Sequence, residues 1–221
     1  MTNDGSNIIA VDGLAATGKG TLARRLAAHF DYAYLDTGML YRAVGIAVLR
    51  AGGNPADAGA AALAARALSP ESLVNLAKDP ELRTEIGGDA ASKVAAVPEV
   101  RQALLKFQQD FAHNPPEGKK GAVLDGRDIG TVIAPDAKVK IYVEASPEVR
   151  ATRRFLELQG RGENVTEAQV LADLKARDAR DTQRATVPAK PADDAVILDT
   201  SHLDADEAFA AALGIVEKVF L

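Results

Sequence analysis

The sequence predicts an α/β fold in which helices cover both faces of a five-stranded parallel sheet. Short apolar segments rich in β-branched residues alternate with longer amphipathic segments, and strands separated by helices pair in parallel. The length of 221 residues matches one domain, and 47% hydrophobic with 26% charged residues is ordinary for a folded chain. A glycine-rich segment between the first strand and the first helix is typical of a ligand-binding turn at the edge of such a sheet.

The predicted strands are short apolar runs that stop at glycine or polar residues, as strands buried on both faces do. They lie at residues 7–11, 32–35, 122–124, 139–143 and 195–198. The predicted helices have apolar residues at helical spacing, and they lie at residues 19–30, 41–49, 58–68, 100–111, 147–158, 166–182 and 204–220. Residues 52–100 include an alanine-rich stretch followed by glycine and proline breaks, so we interpret them as an insertion between core elements.

The composition excludes several classes of function. The chain has no cysteine, which excludes disulfides, thiolate metal sites and cysteine nucleophiles. A net charge of −5 argues against a general surface for nucleic acids or anionic membranes, although a local basic pocket is compatible with it. No apolar stretch approaches the roughly 18 residues of a membrane span, and no secretory signal fits. We therefore expect a cytoplasmic protein without nucleic-acid or membrane partners.

The strongest local signal is the glycine-rich motif that joins the first strand to the first helix. Small residues let successive backbone N–H groups surround phosphate oxygens, and the helix N-terminus adds a partial positive charge. Lys19 can reach the β- and γ-phosphates as a movable charge. We call this segment the phosphate cradle and expect it to bind a nucleotide through Gly13, Leu14, Ala15, Ala16, Thr17, Gly18, Lys19, Gly20 and Thr21.

The residue after Lys19 departs from the general pattern of such cradles. Gly20 stands where Ser or Thr usually helps to hold Mg²⁺, and Thr21 follows one position later. Asp125 directly follows the third predicted strand, where an acidic residue often holds hydrated Mg²⁺. We therefore expect Thr21 and Asp125 to contact the metal through water. The cradle alone predicts a nucleoside triphosphate and leaves kinase, motor and switch open, although no Asn-Lys-x-Asp motif for guanine is present.

Two further polar turns follow predicted strands. Thr37 is placed to cap the next helix, and Arg42 lies one turn beyond Gly38, which suits a second phosphate as well as an ordinary capped helix with a surface arginine. Residues 125–128 follow the third strand and point to the edge of the sheet where ligands gather, with a simple turn as the alternative.

Arginine is concentrated in the last third of the chain. The spacing of Arg177, Arg180 and Arg184 places them on one helix face, and Asp181 is positioned to orient Arg177. Such a face can neutralise a transferring phosphoryl group, or it can be a solvated face of ion pairs. A second group of arginines is formed by Arg150, Arg153, Arg154 and Arg161.

Taken together, five motifs in order resemble those of bacterial cytidylate kinases, which are P-loop nucleoside monophosphate kinases. The resemblance runs from about residue 8 to residue 198. Beyond the cradle, its motifs are Leu-Asp-Thr-Gly-x-x-Tyr-Arg at 35–42, Ser-x-Val-Ala-Ala-x-Pro-x-Val-Arg at 92–101, Asp-Gly-Arg-Asp-x-Gly-Thr at 125–131 and Arg-Asp-x-Arg-Asp-x-x-Arg at 177–184.

The resemblance implies transfer of the γ-phosphoryl group of ATP to CMP or dCMP with Mg²⁺, on a sheet with strand order 2-3-1-4-5. It also implies a single domain over 1–221, with a monophosphate-binding insertion at 52–100 and a lid at 150–165, and we expect a monomer. The residues that it assigns to the chemistry are Lys19, Arg127, Arg154 and Arg184. Those that it assigns to the acceptor nucleotide are Thr37, Arg42, Ser92, Arg101, Arg127, Asp128, Arg177, Asp181 and Arg184.

The base contacts implied by the resemblance are chemically consistent with cytosine. A carboxylate such as Asp128 accepts a hydrogen bond from the N4 amino group, and a guanidinium such as Arg101 donates to N3 and O2. Uracil would instead place a carbonyl oxygen against the carboxylate, and a buried unpaired polar group costs about 1–3 kcal/mol. Two alternatives stay open at this stage: another small P-loop kinase that acts on UMP or a metabolite, and a nucleotide-binding switch without enzymatic activity.

Overall fold

A computed structural model of the chain describes residues 7–69 and 79–220. Its sheet has five parallel strands in the order β2-β3-β1-β4-β5, which confirms the predicted fold class and strand order. The strands are β1 (Ile8–Asp12), β2 (Ala33–Asp36), β3 (Ala122–Gly126), β4 (Val139–Glu144) and β5 (Val196–Asp199). Each lies within about two residues of its predicted bounds.

The helices of the described residues flank this sheet. They are α1 (Lys19–Phe30), α2 (Thr37–Arg50), α3 (Ala58–Arg66), α4 (Glu85–Val94), α5 (Pro98–His113), α6 (Pro147–Gly160), α7 (Glu167–Gln183) and α8 (Ala205–Phe220). Short single turns lie at Pro80–Arg83 and Pro116–Gly118, and a wider turn at Ile129–Ile133. The predicted insertion is helical where it is described, and part of it, 70–78, lies outside the described residues. No helix in the described ranges combines the length and apolar character that crossing a membrane requires.

The core has a layer on each face of the sheet. Alternate residues of β1 point to opposite faces, as the period of a strand requires. Ile9 and Val11 pack with Leu22 and Leu26 of α1 and with the apolar face of α8. Ile8 and Ala10 pack on the other face with α5 and with the turn at Ile129–Ile133. The central strand is therefore buried on both faces, and its carboxyl end is held rigidly where the cradle begins.

A close helix contact ties the predicted insertion to the core. A Cβ placed on Gly45 of α2 would lie 2.7 Å from the Cβ of Ala90 in α4 and 2.9 Å from the carbonyl carbon of Ala90. The absence of a side chain at residue 45 thus lets the two helices approach closely. Their packing directs the residues of α4 towards the carboxyl end of the sheet.

Candidate functional site

The phosphate cradle has the backbone geometry that its sequence predicts. Gly13 has a φ of 150°, and a Cβ there would lie 2.3 Å from the carbonyl oxygen of Val143 on β4, so only glycine fits this turn. Gly18, with a φ of 90°, leads into α1 at Lys19. The cradle therefore crosses closely over the end of the sheet and turns its backbone towards the N-terminus of α1, a geometry suited to phosphate oxygens.

Lys19 lies at the centre of the site. Burial and the nearby positive charge of Arg127 together lower the pKa of its ammonium group to about 8, whereas Asp125 and Asp36 act in the opposite direction. Its Nζ is 3.5 Å from the carbonyl oxygen of Leu14. A buried ammonium group beside another cation is poorly neutralised, so an arriving anion would stabilise its charged form.

Several half-buried arginines line the crevice that contains Lys19 and the cavity that adjoins it. Burial lowers the pKa of Arg42 to about 9 and that of Arg177 to about 10, and each feels the charge of neighbouring arginines. The Nε of Arg177 and the Nη2 of Arg184 are buried and have no hydrogen-bond partner among the described residues. Buried donors are nearly always satisfied, so these two indicate a missing acceptor. We call Lys19, Arg42, Arg127, Arg177 and Arg184 the cation cluster.

A second cavity, which we call the acceptor cavity, adjoins the crevice that contains Lys19. It is lined by part of the cation cluster and by most of the residues predicted to bind the acceptor. Arg101 of α5 forms a buried ion pair with Asp128, which follows β3. The Ser92 hydroxyl of α4 donates to Asp181 at 2.9 Å, and Arg127 Nε donates to the same carboxylate at 3.1 Å. The predicted residues that line this cavity together are Thr37, Ser92, Arg101, Arg127, Asp128, Arg177, Asp181 and Arg184. Arg42 lies in the adjoining crevice with Lys19 and Arg127.

One predicted role is wrong, that of Thr37 as a helix cap. Asp36, not Thr37, caps α2, and its carboxylate accepts from the backbone N–H of Met39 at 3.3 Å. The Thr37 hydroxyl is already used, since it donates to the carbonyl oxygen of Asp125 at 2.7 Å. The charge of Asp181 acts on Arg177, while Ser92 and Arg127 donate to the Asp181 carboxylate, and the orienting role of Asp181 towards Arg177 stays a prediction.

The four arginines around α6 differ in what they contact. Arg150 is 3% exposed and donates to the carbonyl oxygen of Ala15 in the cradle at 3.2 Å and to Asp178 at 2.6 Å, so it supports the cradle from behind. Arg153 joins the cradle to the end of β5 through the carbonyl oxygens of Thr17 and Thr200, at 3.3 and 2.7 Å.

Arg154 and Arg161 instead face the crevice that contains Lys19. Arg154 Nε lies 3.0 Å from Glu85 on α4, and its Nη1 lies 2.8 Å from Glu157. Arg161 donates to the carbonyl oxygen of Arg83 at 2.6 Å. Both arginines are thus bound to the predicted insertion in this structure.

The predicted metal-binding residues are not equally well placed. Burial and the nearby Asp36 carboxylate together raise the pKa of Asp125 to about 6, while Lys19 acts to lower it. Thr21 lies on α1, where its hydroxyl accepts from the exposed Arg24 at 3.4 Å. No group of three or more acidic, histidine or cysteine side chains suited to a metal occurs among the described residues. An ion at this place would need oxygen ligands beyond these carboxylates, which suits Mg²⁺ because it usually keeps several waters.

A larger cavity of about 360 Å³ opens on the other side of the cradle. It lies between Thr17–Gly18 of the cradle, Arg153 of α6 and the connection from β5 to α8. Sequence reasoning did not single out Thr200 or Leu203 in that connection, although their position directly after a parallel strand was a usable signal. Its mainly apolar lining next to the cradle suits a flat heterocycle attached to the phosphates.

Comparison with known proteins agrees with this geometry. A family model described as cytidylate kinase matches residues 9–218. The chain belongs to the cytidylate kinase family. Cytidylate kinases of Paramagnetospirillum magneticum and Rhodospirillum rubrum are each 59% identical to it, over 96% and 95% of this chain and 98% and 96% of theirs. A third relative, from Rhodopseudomonas palustris, is 57% identical over 96% of both chains. An uncharacterized protein from Eubacterium ventriosum, of solved structure, shares the fold with a TM-score of 0.52 at 14% identity, over 97% of this chain and 98% of that one.

Membership of the cytidylate kinase family confirms the resemblance, and the structure adds a residue that the motifs did not reveal. Asp12 ends β1 directly before the cradle and is 6% exposed. Its carboxylate accepts from the backbone N–H groups of Ile129 at 2.9 Å and Gly130 at 2.8 Å. Burial raises the pKa of Asp12 to about 7, although the two backbone hydrogen bonds act to lower it. Asp12 thus ties the start of the cradle to the turn that carries Asp128.

Proposed function

We propose that the protein transfers the γ-phosphoryl group of ATP to CMP or dCMP and releases ADP with CDP or dCDP. The observation that carries the proposal is the cation cluster, which lies where the phosphate cradle meets the acceptor cavity. Two of its buried guanidinium nitrogens have no hydrogen-bond partner within residues 7–69 and 79–220. Two anionic ligands would meet end to end over this cluster. Family membership supports both ATP as donor and CMP as acceptor.

The chemistry follows from positioning and charge. An oxygen of the acceptor phosphate forms a bond to the γ-phosphorus while the bond from that phosphorus to the β–γ bridging oxygen breaks, and ADP leaves with the electron pair. The nucleophile is already anionic, so no strong general base is required. Lys19, Arg127 and Arg184 neutralise charge that spreads over the phosphoryl oxygens, and Arg42 holds the acceptor phosphate.

The acceptor base is read by the buried pair of Arg101 and Asp128. Asp128 accepts from the N4 amino group of cytosine, and Arg101 donates to N3 and O2. Ser92 closes the same cavity beside Asp181, which with Arg177 faces the sugar. Uracil would bring a carbonyl oxygen against the Asp128 carboxylate, and that repulsion disfavours UMP by an estimated one to two decades in rate.

Asp125 and Thr21 would contact Mg²⁺ through water, and the neighbouring Asp36 would add a second carboxylate to the site. Bound Mg²⁺ would neutralise charge on the donor phosphates. The carboxylates are hard oxygen donors next to the phosphate cradle, which is the ligand chemistry that Mg²⁺ requires.

Two segments complete the site in this proposal. Residues 52–100 form the insertion that covers the acceptor, and residues 150–165 form a lid over the donor phosphates. Arg154 is the lid residue that approaches the transferring group, and closure excludes water that would otherwise take it. The donor base lies in the cavity beside Arg153 and Thr200. We also propose that the protein acts as a monomer in the cytoplasm, which size-exclusion chromatography and fractionation would test.

A coupled assay of ADP release across CMP, dCMP, UMP and AMP tests the function. We expect rapid turnover with CMP or dCMP, much slower turnover with UMP and AMP, and negligible ATP hydrolysis without an acceptor. Faster phosphorylation of UMP or of a non-nucleotide acceptor would overturn the base assignment. Tight ATP binding with no turnover under any acceptor would indicate a nucleotide-binding switch instead.

A further inference from the structure

Tyr34 contributes a hydroxyl to the site that the family motifs do not predict. It lies on β2, two residues before Asp36, and its Oη donates to Asp125 Oδ2 at 2.6 Å. The guanidinium carbon of Arg24 on α1 lies 5.9 Å from the centre of the Tyr34 ring. Burial and the adjacent carboxylates raise the pKa of Tyr34 far above its usual value, so the phenol remains a donor at neutral pH.

The Tyr34 hydroxyl lies close to Gly20, a residue of the phosphate cradle that has no side chain. A Cβ built on Gly20 would lie 3.2 Å from Asp125 Oδ2, 3.8 Å from Tyr34 Oη and 3.9 Å from Arg24 Nη1. A side chain at residue 20 would therefore point to the same carboxylate oxygen that the phenol already contacts. In many P-loop proteins the residue at this position is Ser or Thr, whose hydroxyl acts with the acidic residue on Mg²⁺.

We infer that Tyr34 is a positioning residue whose phenol replaces the missing cradle hydroxyl beside Asp125. The hydrogen bond fixes the orientation of the Asp125 carboxylate, and it occupies one oxygen so that the other is free for a hydrated cation. A Cβ at residue 20 would require the Asp125 carboxylate to shift by a few tenths of an ångström, so glycine suits this arrangement while the phenol holds the carboxylate in place. The inference rests on the proposed function only in assigning Asp125 to the metal–nucleotide complex.

The test compares Tyr34→Phe with the double variant Tyr34→Phe/Gly20→Ser. Removing the phenol leaves room for a serine hydroxyl at residue 20 to reach Asp125. Tyr32→Phe is the matched control, because it removes a hydroxyl from a tyrosine two residues earlier, which packs on Phe30. Binding of Mn²⁺ to the ADP complex, followed by electron paramagnetic resonance without any acceptor, is the direct readout. The KM for CMP is measured in parallel.

We expect Tyr34→Phe to weaken Mn²⁺ binding about tenfold, the effect of losing a hydrogen bond to a charged group. The KM for CMP should change less than about twofold, since Asp125 does not line the acceptor cavity. The double variant should recover most of the lost Mn²⁺ affinity, and Tyr32→Phe should match the wild type.

Unchanged Mn²⁺ affinity in Tyr34→Phe would overturn the inference, as would a double variant no better than the single one. An equal loss in Tyr32→Phe would also overturn it, because the effect would then be general to the strand. Because Mn²⁺ binding is measured without CMP, failure of the wild type to phosphorylate CMP would refute the proposed function and leave this result interpretable.

Discussion

The pair formed by Arg101 and Asp128 shows how single residues can set substrate choice. Their side chains are 9% and 7% exposed, and the Arg101 guanidinium carbon lies 5.8 Å from the centre of the Tyr41 ring. The two charges neutralise each other in this structure. In the proposed function a bound base shares both partners, so recognition depends on donors and acceptors that match both members of the pair.

Replacing Asp128 by asparagine should reduce discrimination between pyrimidines. An amide nitrogen can donate to the O4 carbonyl of uracil, which the carboxylate repels, so we expect the ratio of kcat/KM for CMP to that for UMP to fall by about ten- to a hundredfold. Steady-state kinetics with both acceptors measure the ratio. Asp110→Asn is the control, because Asp110 is an exposed carboxylate of α5 that pairs with Lys106 at 2.8 Å. An equal fall in kcat/KM for CMP and UMP would show that Asp128 does not distinguish the two bases.

Asp12→Asn should loosen the turn that carries Asp128. An amide can accept from only one of the two backbone N–H groups of Ile129 and Gly130, and a buried unsatisfied donor costs about 1–3 kcal/mol. We expect a lower melting temperature, a several-fold higher KM for CMP and weaker discrimination against UMP, with a smaller change in the KM for ATP. Kinetics with each substrate varied separately measure this split. Equal increases in both KM values would assign Asp12 to general stability.

Residues that act through a partner distant in sequence were the ones that sequence reasoning missed. Lys19 and the motif arginines could be predicted because their chemistry follows from residue type and from position at a strand end. The roles of Asp12 and Tyr34 depend on contacts with residues 129 and 125, about a hundred positions later. Arg150 was placed in the lid, and nothing in its spacing revealed that it is buried beneath the cradle.

At the scale of elements, helices α4 and α6 are already joined across the mouth of the site. Glu85 of α4 binds Arg154 of α6 at 3.0 Å, and the carbonyl oxygen of Arg83 receives Arg161 at 2.6 Å. If Arg154 approaches the phosphoryl group as proposed, that group would compete with Glu85 and Glu157 for it. This contact links the two segments that are proposed to cover the acceptor and the donor.

Glu85→Gln should lower the KM for ATP about threefold. The substitution removes one of the two carboxylates that compete with phosphate oxygens for Arg154, and a partly exposed pair of this kind contributes about 0.5–1 kcal/mol. Initial rates at saturating CMP measure the KM. Glu148→Gln, an exposed first-turn residue of α6, serves as the control. An unchanged or higher KM for ATP would mean that the Glu85–Arg154 contact does not restrain the arginine.

The sequence predicted the elements better than their ends. Strand positions followed from continuous apolar runs, since burial on both faces leaves little freedom in composition. The start of α2 was placed at residue 41, four residues late, because the cap at Asp36 depends on a local side-chain bond rather than on apolar spacing. The α2–α4 contact was not predictable, since it depends on two small residues that meet only in the fold.

The chain as a whole carries a net charge of −5, whereas the crevice that contains Lys19 is lined by several cationic side chains. The chain thus concentrates its buried positive charge where the ligands carry negative charge, and the rest of the surface is acidic on balance. This arrangement focuses attraction on the site while discouraging general binding of polyanions.

The value of kcat/KM for ATP should have a bell-shaped pH profile. Burial lowers the pKa of Lys19 to about 8 and raises that of Asp125 to about 6, so the productive charge state predominates between these values. Above pH 8, Lys19 loses its proton and attraction for phosphate falls. Below pH 6, Asp125 gains a proton and metal binding weakens. If kcat/KM for ATP instead stays constant from about pH 7 to pH 10, deprotonation of Lys19 does not control ATP binding.

The Gly45–Ala90 contact limits what residue 45 can be. A side chain there would overlap Ala90, so any larger residue would force α2 and α4 apart. Helix α4 carries Ser92 into the acceptor cavity, and α2 begins at Thr37, whose hydroxyl donates to the carbonyl oxygen of Asp125. A bulkier residue at position 45 would therefore disturb both the acceptor cavity and the end of β3.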